Sequence, residues 1–302
     1  GYLKRQKWDE SELEAKVIPG SSQFWTGFFY SPKMGAGDFL PYWQAEGTDV
    51  DLEAILDLIV DDTNKLKNSK LDRKVWKRQK ARLAETLRDK QGKRIGKSEM
   101  EEDFYSLRFK YGTVAPLGLD ENVARDYEAV AKILNSNGSR QVCADYNPKN
   151  IVRNADGSVA HVDGNKLTYE NKVGMFVDFF THRSLDLDVS EVESFKQRYM
   201  EKIGGNKADE KVFYALMFDR CARFAGNVGR KINQSDSATA SDQNELVHDL
   251  TMASYAISNL AQIEPDNLQF RRLDKQFKKE VELYQFHHRK ALGQSGLAVD
   301  RN

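Results

Sequence analysis

The sequence predicts an α+β protein: a reduced β part followed by a mostly α-helical large part. Three observations carry this. An aromatic, β-prone run at residues 23–30 reads as a strand. A second stretch, residues 141–164, alternates β-branched residues with turn chemistry. Beyond residue 190, apolar residues recur at helical spacing almost to the end.

Residues 2–16 have helical composition, dense in good helix formers from Asp9 to Glu14, and Pro19-Gly20 ends them. The strand at 23–30 runs into Ser31-Pro32-Lys33-Met34-Gly35-Ala36-Gly37, a flexible connection. Thr48 or Asp49 caps the next helix, where Val50, Leu52, Ile55, Leu56, Leu58 and Ile59 share one face. A basic helix follows at 70–90 with a thin apolar stripe of Val75, Trp76, Leu83 and Leu87. Gly92, Gly96, Gly112, Pro116 and Gly118 are expected to break any long element between residues 91 and 119. Asp120 opens a helix with Val123, Tyr127, Val130, Ala131 and Leu134 on one face, closed by Asn135-Ser136-Asn137-Gly138.

The central stretch reads strand, loop, strand, turn, strand. Val142 and Cys143 form a short buried strand, and Pro148, which lacks an N–H, breaks the loop after it. Ile151-Val152 and residues 159–162 are strand pieces joined by Asn154-Ala155-Asp156-Gly157, a hairpin signal. Residues 173–180 form another apolar element. Ser190-Glu191-Val192-Glu193 reads as a capping box for a helix ending at Gly204-Gly205. A helix at 209–228 carries Phe213, Leu216, Met217, Ala222 and Phe224; its Arg220 and Arg223, with Arg230 just beyond, either face an anion or, as expected, form surface salt bridges. A polar loop at 233–244 precedes helices at 245–263 and 268–292, and residues 293–302 read as a disordered tail. His287-His288 has no second ligand pair at zinc spacing and is expected to face solvent.

Composition bounds the function classes. With 40% hydrophobic and 30% charged residues in 302, the chain is a folded globular protein. No apolar run approaches the roughly 20 residues of a membrane span, no signal peptide is visible, and two cysteines make no disulfide framework, so a cytoplasmic location is expected. Net charge is zero but uneven: residues 65–97 hold fourteen Lys/Arg against three Asp/Glu. Such a block attracts anions or packs on the acidic remainder. Its single aromatic, Trp76, argues against a single-stranded nucleic-acid binder.

Asp145, Asn150 and Asp163 are oxygen donors at the ends of one loop and one strand, and hard oxygens suit Mg²⁺. The ordered set Asp145-Tyr146-Asn147-Pro148-Lys149-Asn150, a hairpin, then Val162-Asp163-Gly164 resembles the catalytic and metal loops of the protein-kinase-like fold. Protein kinases read His-Arg-Asp-Leu-x-x-x-Asn and Asp-Phe-Gly there. The aminoglycoside and choline phosphotransferase branch reads His-Gly-Asp-x-His-Pro-x-Asn and Ile-Asp. Cys143 stands where both branches have His, Ala144 where protein kinases have Arg, and Asn147 where they have Lys or His. These departures favour the small-molecule branch.

The resemblance implies Asp145 as catalytic base or hydroxyl orienter, with Asn150 and Asp163 as Mg²⁺ ligands. It implies a nucleotide-binding hinge at residues 30–35, with Tyr30, Lys33 and Met34 as contacts and Lys149 available to a phosphate. Asp178 either anchors the catalytic loop or caps a helix. The implied division is residues 1–34 for the remainder of a small lobe and hinge, and 35–292 for a helical large lobe with a basic insertion at about 65–118. The implied activity is Mg²⁺-dependent transfer of the ATP γ-phosphoryl group to a hydroxyl of a small molecule, a sugar or sugar-like acceptor, with an anionic one favoured by the basic block. A catalytically weak pseudokinase acting as a binding or scaffold protein is the alternative. No glycine-rich loop or strand lysine precedes the first helix: either those strands lie ahead of Gly1 in a longer natural chain, or the protein lacks them.

Overall fold

The computed structural model describes residues 38–39, 51–68, 104–136, 140–153, 158–161, 168–234 and 239–296, and only the backbone course of α10 from residue 287 on. The expected helix at 2–16, strand at 23–30, hinge at 30–35, basic helix at 70–90, hairpin turn at 154–157 and tail beyond 296 lie outside the described residues, as does Asp163.

After strand β1 (Asp38–Phe39) comes helix α1 (Leu52–Leu66). Its cap is Asp51, whose carboxylate accepts from the Ala54 N–H at 2.9 Å, rather than Thr48 or Asp49. The cap oxygen must reach an amide three residues on, and only Asp51 stands that far from the first buried turn. Ile55, Leu56, Ile59 and Val60 are buried as the periodicity predicts.

Within the stretch expected to be broken, the described part from residue 104 to 117 is continuous helix. Helix α2 (Phe104–Phe109) passes into a π-helical turn (Lys110–Val114) and then α3 (Ala115–Leu117). Pro116 lies just past the π turn, early in α3, and Gly118 ends the segment at φ 66°. The wide π turn carries Gly112 against a later helix. Helix α4 (Glu121–Asp126), capped by Asp120 at 2.7 Å, and α5 (Glu128–Ser136) follow; the predicted face of Val123, Tyr127, Val130, Ala131 and Leu134 is buried.

Two small antiparallel sheets frame the middle of the chain. In one, β1 pairs β3 (Ile151–Arg153), which pairs β4 (Val159–His161), with Ile151 opposite His161 as the hairpin signal requires. In the other, β2 (Arg140–Cys143) pairs β5 (Thr168–Asn171), with Cys143 opposite Thr168. Strand β5 has no apolar alternation; its partner strand, far back in the chain, makes it a strand.

The rest is helical: α6 (Gly174–Phe180), α7 (Val189–Lys202), α8 (Lys207–Gln234), α9 (Ala240–Ile263) and α10 (Leu268–Gly296). The capping box of α7 is Asp188 with Glu191, two residues ahead of Ser190 and Glu193, and Glu191 returns to the Asp188 N–H at 2.8 Å. Thr239 and Asp242 form a second box, so α9 starts inside the stretch expected to be loop. Among the described residues no helix is long and apolar enough to cross a membrane.

Helix α8 is the hub. Phe213, Met217, Phe218, Cys221, Ala222 and Ala225 are buried on it. Phe109 stacks on Tyr127 at 3.9 Å, and both rings lie against Phe218. Because α8 is covered on most sides, its charges cannot all reach water. Arg220, expected at the surface, is 7% exposed and pairs with Glu170 at 2.6 Å and with Asp178. Arg108 pairs with Asp219, which also accepts from the Tyr127 hydroxyl at 2.5 Å. Arg223, also expected in a surface pair, makes no ion pair among the described residues; burial and the Arg108 charge pull its guanidinium down to about 10. The Arg220 and Arg108 pairs offset much of the cost of burying their charges; Arg223 lacks that offset. Between α6 and α9, Arg183 pairs with Glu245 at 2.9 Å and with Asp249 at 3.1 Å. Asp249 is fully buried, and that burial, against the pull of Arg183, pushes its carboxyl to about 7.

Two outcomes follow from this packing. At the crossing of α8 with the π turn, a Cβ on Gly226 would overlap the Gly112 carbonyl and lie 2.9 Å from Thr113 Cα, whereas one on Gly112 meets nothing nearer than Arg223 Cγ at 3.8 Å. Gly226→Ala is expected to lower unfolding free energy by about 3 kcal/mol, the upper range for overpacking, and Gly112→Ala by much less, measured by urea denaturation. The second concerns pH. A carboxyl with a folded pKa raised above its unfolded value binds its proton more tightly when folded, so its contribution to stability falls as pH rises from about 4 to about 7. Asp249→Asn removes that loss while Arg183 keeps Glu245. The stability of the variant relative to wild type is expected to grow over that window, by at most about 1.4 kcal/mol per pH unit. His182 and His248, lowered by burial, titrate with the opposite sign in both proteins and cancel in the difference.

Candidate active site

Strand β2 delivers the loop that carries Asp145. Val142 and Cys143 are buried ends of that strand, and the Cys143 thiol donates to the Asn171 carbonyl at 3.4 Å. Burial pushes that thiol well above the ordinary range, so it stays protonated and serves packing. Beyond it, Tyr146 is fully buried; its hydroxyl donates to Asp62 on α1 at 2.6 Å, and its ring stacks on His161 at 4.5 Å. The loop is thereby nailed to α1 on one side and to β4 on the other.

The next residues form a 3₁₀ turn, Pro148–Asn150. Asn147 caps it, accepting from the Lys149 N–H at 3.2 Å, and the Asn150 N–H closes it onto the Asn147 carbonyl at 2.8 Å. A tight turn splits neighbouring side chains: Lys149 is exposed, and Asn150 is turned inward at 5% exposure. The Asp145 carbonyl then accepts twice, from Asn150 Nδ2 at 2.8 Å and from His161 Nε2 at 3.1 Å. A carbonyl only accepts, which settles both groups: His161 carries its proton on Nε2, and the Asn150 amide turns Oδ1 away from the loop backbone. One short loop, held by its own main chain, thus carries both the Asp145 carboxylate and the Asn150 amide. That donor set fits a hard divalent cation. Of the expected site residues, Asp145, Lys149 and Asn150 share this loop; Asp163, Tyr30, Lys33 and Met34 lie outside the described residues. His161, two positions before Asp163, sits against the Asp145 carbonyl. Among the described residues no three His, Cys, Asp or Glu side chains gather into a metal site of their own.

Asp178 neither caps a helix nor touches the loop through a described hydrogen bond. It grips Arg220 together with Glu170 of β5, the strand paired to β2, so its hold on the loop is indirect.

A second group was not legible in the sequence. His182 follows α6 and caps the 3₁₀ turn Arg183–Leu185, its Nδ1 accepting from the Ser184 N–H at 3.2 Å and lying 2.8 Å from the Ser184 hydroxyl. Burial lowers its pKa to about 4, with Arg183, His248 and Lys149 adding to the effect and Asp145 opposing it. A lone His between Thr and Arg gives no periodicity signal; the His-x-Ser cap spacing was its only trace.

No family model matches the sequence, and no characterised protein sequence matches it. Solved structures are similar in course. LicA in complex with AMP matches at TM-score 0.46 and 10% identity, over 84% of this chain and 76% of that one. An ethanolamine kinase from Plasmodium vivax matches at TM-score 0.49 and 11% identity, over 84% and 69%. The choline kinase LicA from Streptococcus pneumoniae matches at TM-score 0.36 and 13% identity, over 86% and 98%. All three scores lie below 0.5, so the roles assigned below rest on this chain's own residues.

Proposed function

We propose that the protein transfers the γ-phosphoryl group of ATP to a hydroxyl of a small molecule. The observation that carries the reading is the double hydrogen bond onto the Asp145 carbonyl, which fixes the one loop that bears both Asp145 and Asn150. Phosphoryl transfer asks little covalent chemistry of a protein; it asks for position and charge. Asp145 accepts or orients the proton of the attacking hydroxyl. Asn150 and Asp163 would hold Mg²⁺, whose charge would offset that of the nucleotide phosphates. Lys149, exposed on the same turn, faces a phosphate oxygen. Tyr30, Lys33 and Met34 contact the nucleotide in the hinge between a small-lobe remnant, residues 1–34, and the helical lobe, residues 35–292. The acceptor is a sugar or sugar-like alcohol; choline and ethanolamine, which the similar structures' names carry, are the contrasting probes.

Melting temperature measured against ATP with Mg²⁺ tests the reading. At 100-fold excess over Kd the native state gains about 2.7 kcal/mol, and the transition rises accordingly. Asn150→Ala and Asp163→Ala are expected to abolish most of that rise. Asp145→Asn is expected to keep it while reducing turnover by about 10²-fold or more, as loss of a general base does. A wild-type protein whose melting is indifferent to Mg·ATP overturns the proposal; one that binds Mg·ATP but phosphorylates nothing belongs to the weak-pseudokinase alternative.

A further inference from the structure

Two segments meet where α8 crosses the π turn, and neither carries an acid. Residues 104–119 and 220–234 together hold six lysines and arginines and no Asp or Glu. Any counter-charge must therefore come from elsewhere, and three of the six obtain one: Arg108 from Asp219, Arg220 from Glu170 and Asp178, and Lys231 from Asp242. Lys110, Arg223 and Arg230 form no ion pair among the described residues.

These three are held at consecutive residues of the turn. Lys110 Nζ lies 5.6 Å from the centre of the Tyr111 ring, and Arg230 Nη2 donates to the Tyr111 carbonyl at 3.3 Å. Arg223 Cγ is the atom nearest to a Cβ built on Gly112, at 3.8 Å. Arg223 and Arg230 stand two turns apart on one face of α8, with Gly226 between them against the Gly112 carbonyl. Single π turns are rare and frequently stand at functional sites.

Arg223 is the least provided for. Its Nε is buried with no acceptor, while its Nη nitrogens make no hydrogen bond among the described residues and are not sealed. The Phe224 ring, 5.1 Å away, is its neighbour. Burial and the like charge of Arg108 pull its guanidinium down to about 10, the direction expected of a cation that lacks a counter-charge. Gathered cations without acids repel one another, and an incoming anion relieves that repulsion. A guanidinium fork matches two oxygens of a phosphate group. Three charges around three consecutive residues make a compact site, not the long track of cations that a nucleic-acid backbone requires.

We infer that the seam between α8 and the π turn binds a small multivalent phosphate anion, with Arg223 as the anchoring fork and Lys110 and Arg230 as flanking charges. The site stands apart from the phosphotransferase reading: none of its three residues belongs to the Asp145 loop, and it needs no Mg²⁺.

Tripolyphosphate is the probe, added with EDTA at constant ionic strength, and melting temperature is read. The wild-type transition is expected to rise and saturate. Arg223→Gln is expected to weaken the Kd from that curve about tenfold or more, as loss of a hydrogen-bonded charge does, and to melt no lower than wild type without the anion. Lys110→Gln is expected to weaken it a few-fold with ligand-free melting unchanged. The rise with Mg·ATP is expected to be the same in Arg223→Gln as in wild type. A wild type whose melting ignores tripolyphosphate overturns the assignment, as does Arg223→Gln with the wild-type Kd. If Arg223→Gln melts far below wild type, Lys110→Gln decides: an unchanged Kd there overturns it. An Mg·ATP response lost in a folded Arg223→Gln also overturns it, since the arginine then serves the nucleotide. A short DNA duplex that binds where tripolyphosphate does not is equally fatal. A wild type that responds to tripolyphosphate but not to Mg·ATP sinks the phosphotransferase reading and leaves this site standing.

Discussion

One main-chain carbonyl organises the site. The Asp145 oxygen accepts from a side-chain amide five residues ahead and from an imidazole on the neighbouring strand. Those two donors hold the half-buried carbonyl of the loop after β2 at one place. With them, its backbone is closed in one conformation, and the Asn150 side chain has a single amide orientation. Tyr146 adds the outer tie, since its hydroxyl reaches Asp62 on α1 while its ring lies on His161. The proposed phosphoryl transfer would demand position above all, and in this loop position is set by hydrogen bonds.

The frame behind the loop is electrostatic. Arg220 on α8 joins Glu170 of β5 to Asp178 of α6, and β5 in turn pairs with β2. Arg108 and Tyr127 meet on Asp219, one residue earlier on α8. Replacing one partner would strand the other in a low-dielectric interior. This network tells strongly on geometry and only weakly on net stability, because desolvating its charges offsets much of their attraction. The close passage of Gly226 past the π turn belongs to the same frame: it brings α8 near enough to α2 for Arg108 to reach Asp219.

Much of this was readable in residue order. The loop step from Asp145 to Asn150, the β3–β4 hairpin, the Asp120 cap and the buried faces of α1, α4 and α5 are local, and local chemistry produces them. The failures share a cause. Asp51 and Asp188 displaced the expected caps because cap choice depends on where the helix docks. Gly112 and Pro116 did not break a helix, since a π turn and a first-turn position absorbed them. Strand β5 exists only by pairing with β2, and Arg220 is buried only because other elements cover α8.

Sequence alone determined the chemistry available to the site: an acid and an amide on one proline-broken loop, a second acid beyond a hairpin, and helices to carry them. Each of those is written in near neighbours along the chain, where a residue's type and spacing suffice. Which imidazole nitrogen of His161 keeps its proton, and which arginines leave water, were decided only by contacts between distant segments. Those are matters of partners and burial, and a chain acquires them when its helices and strands close around one another.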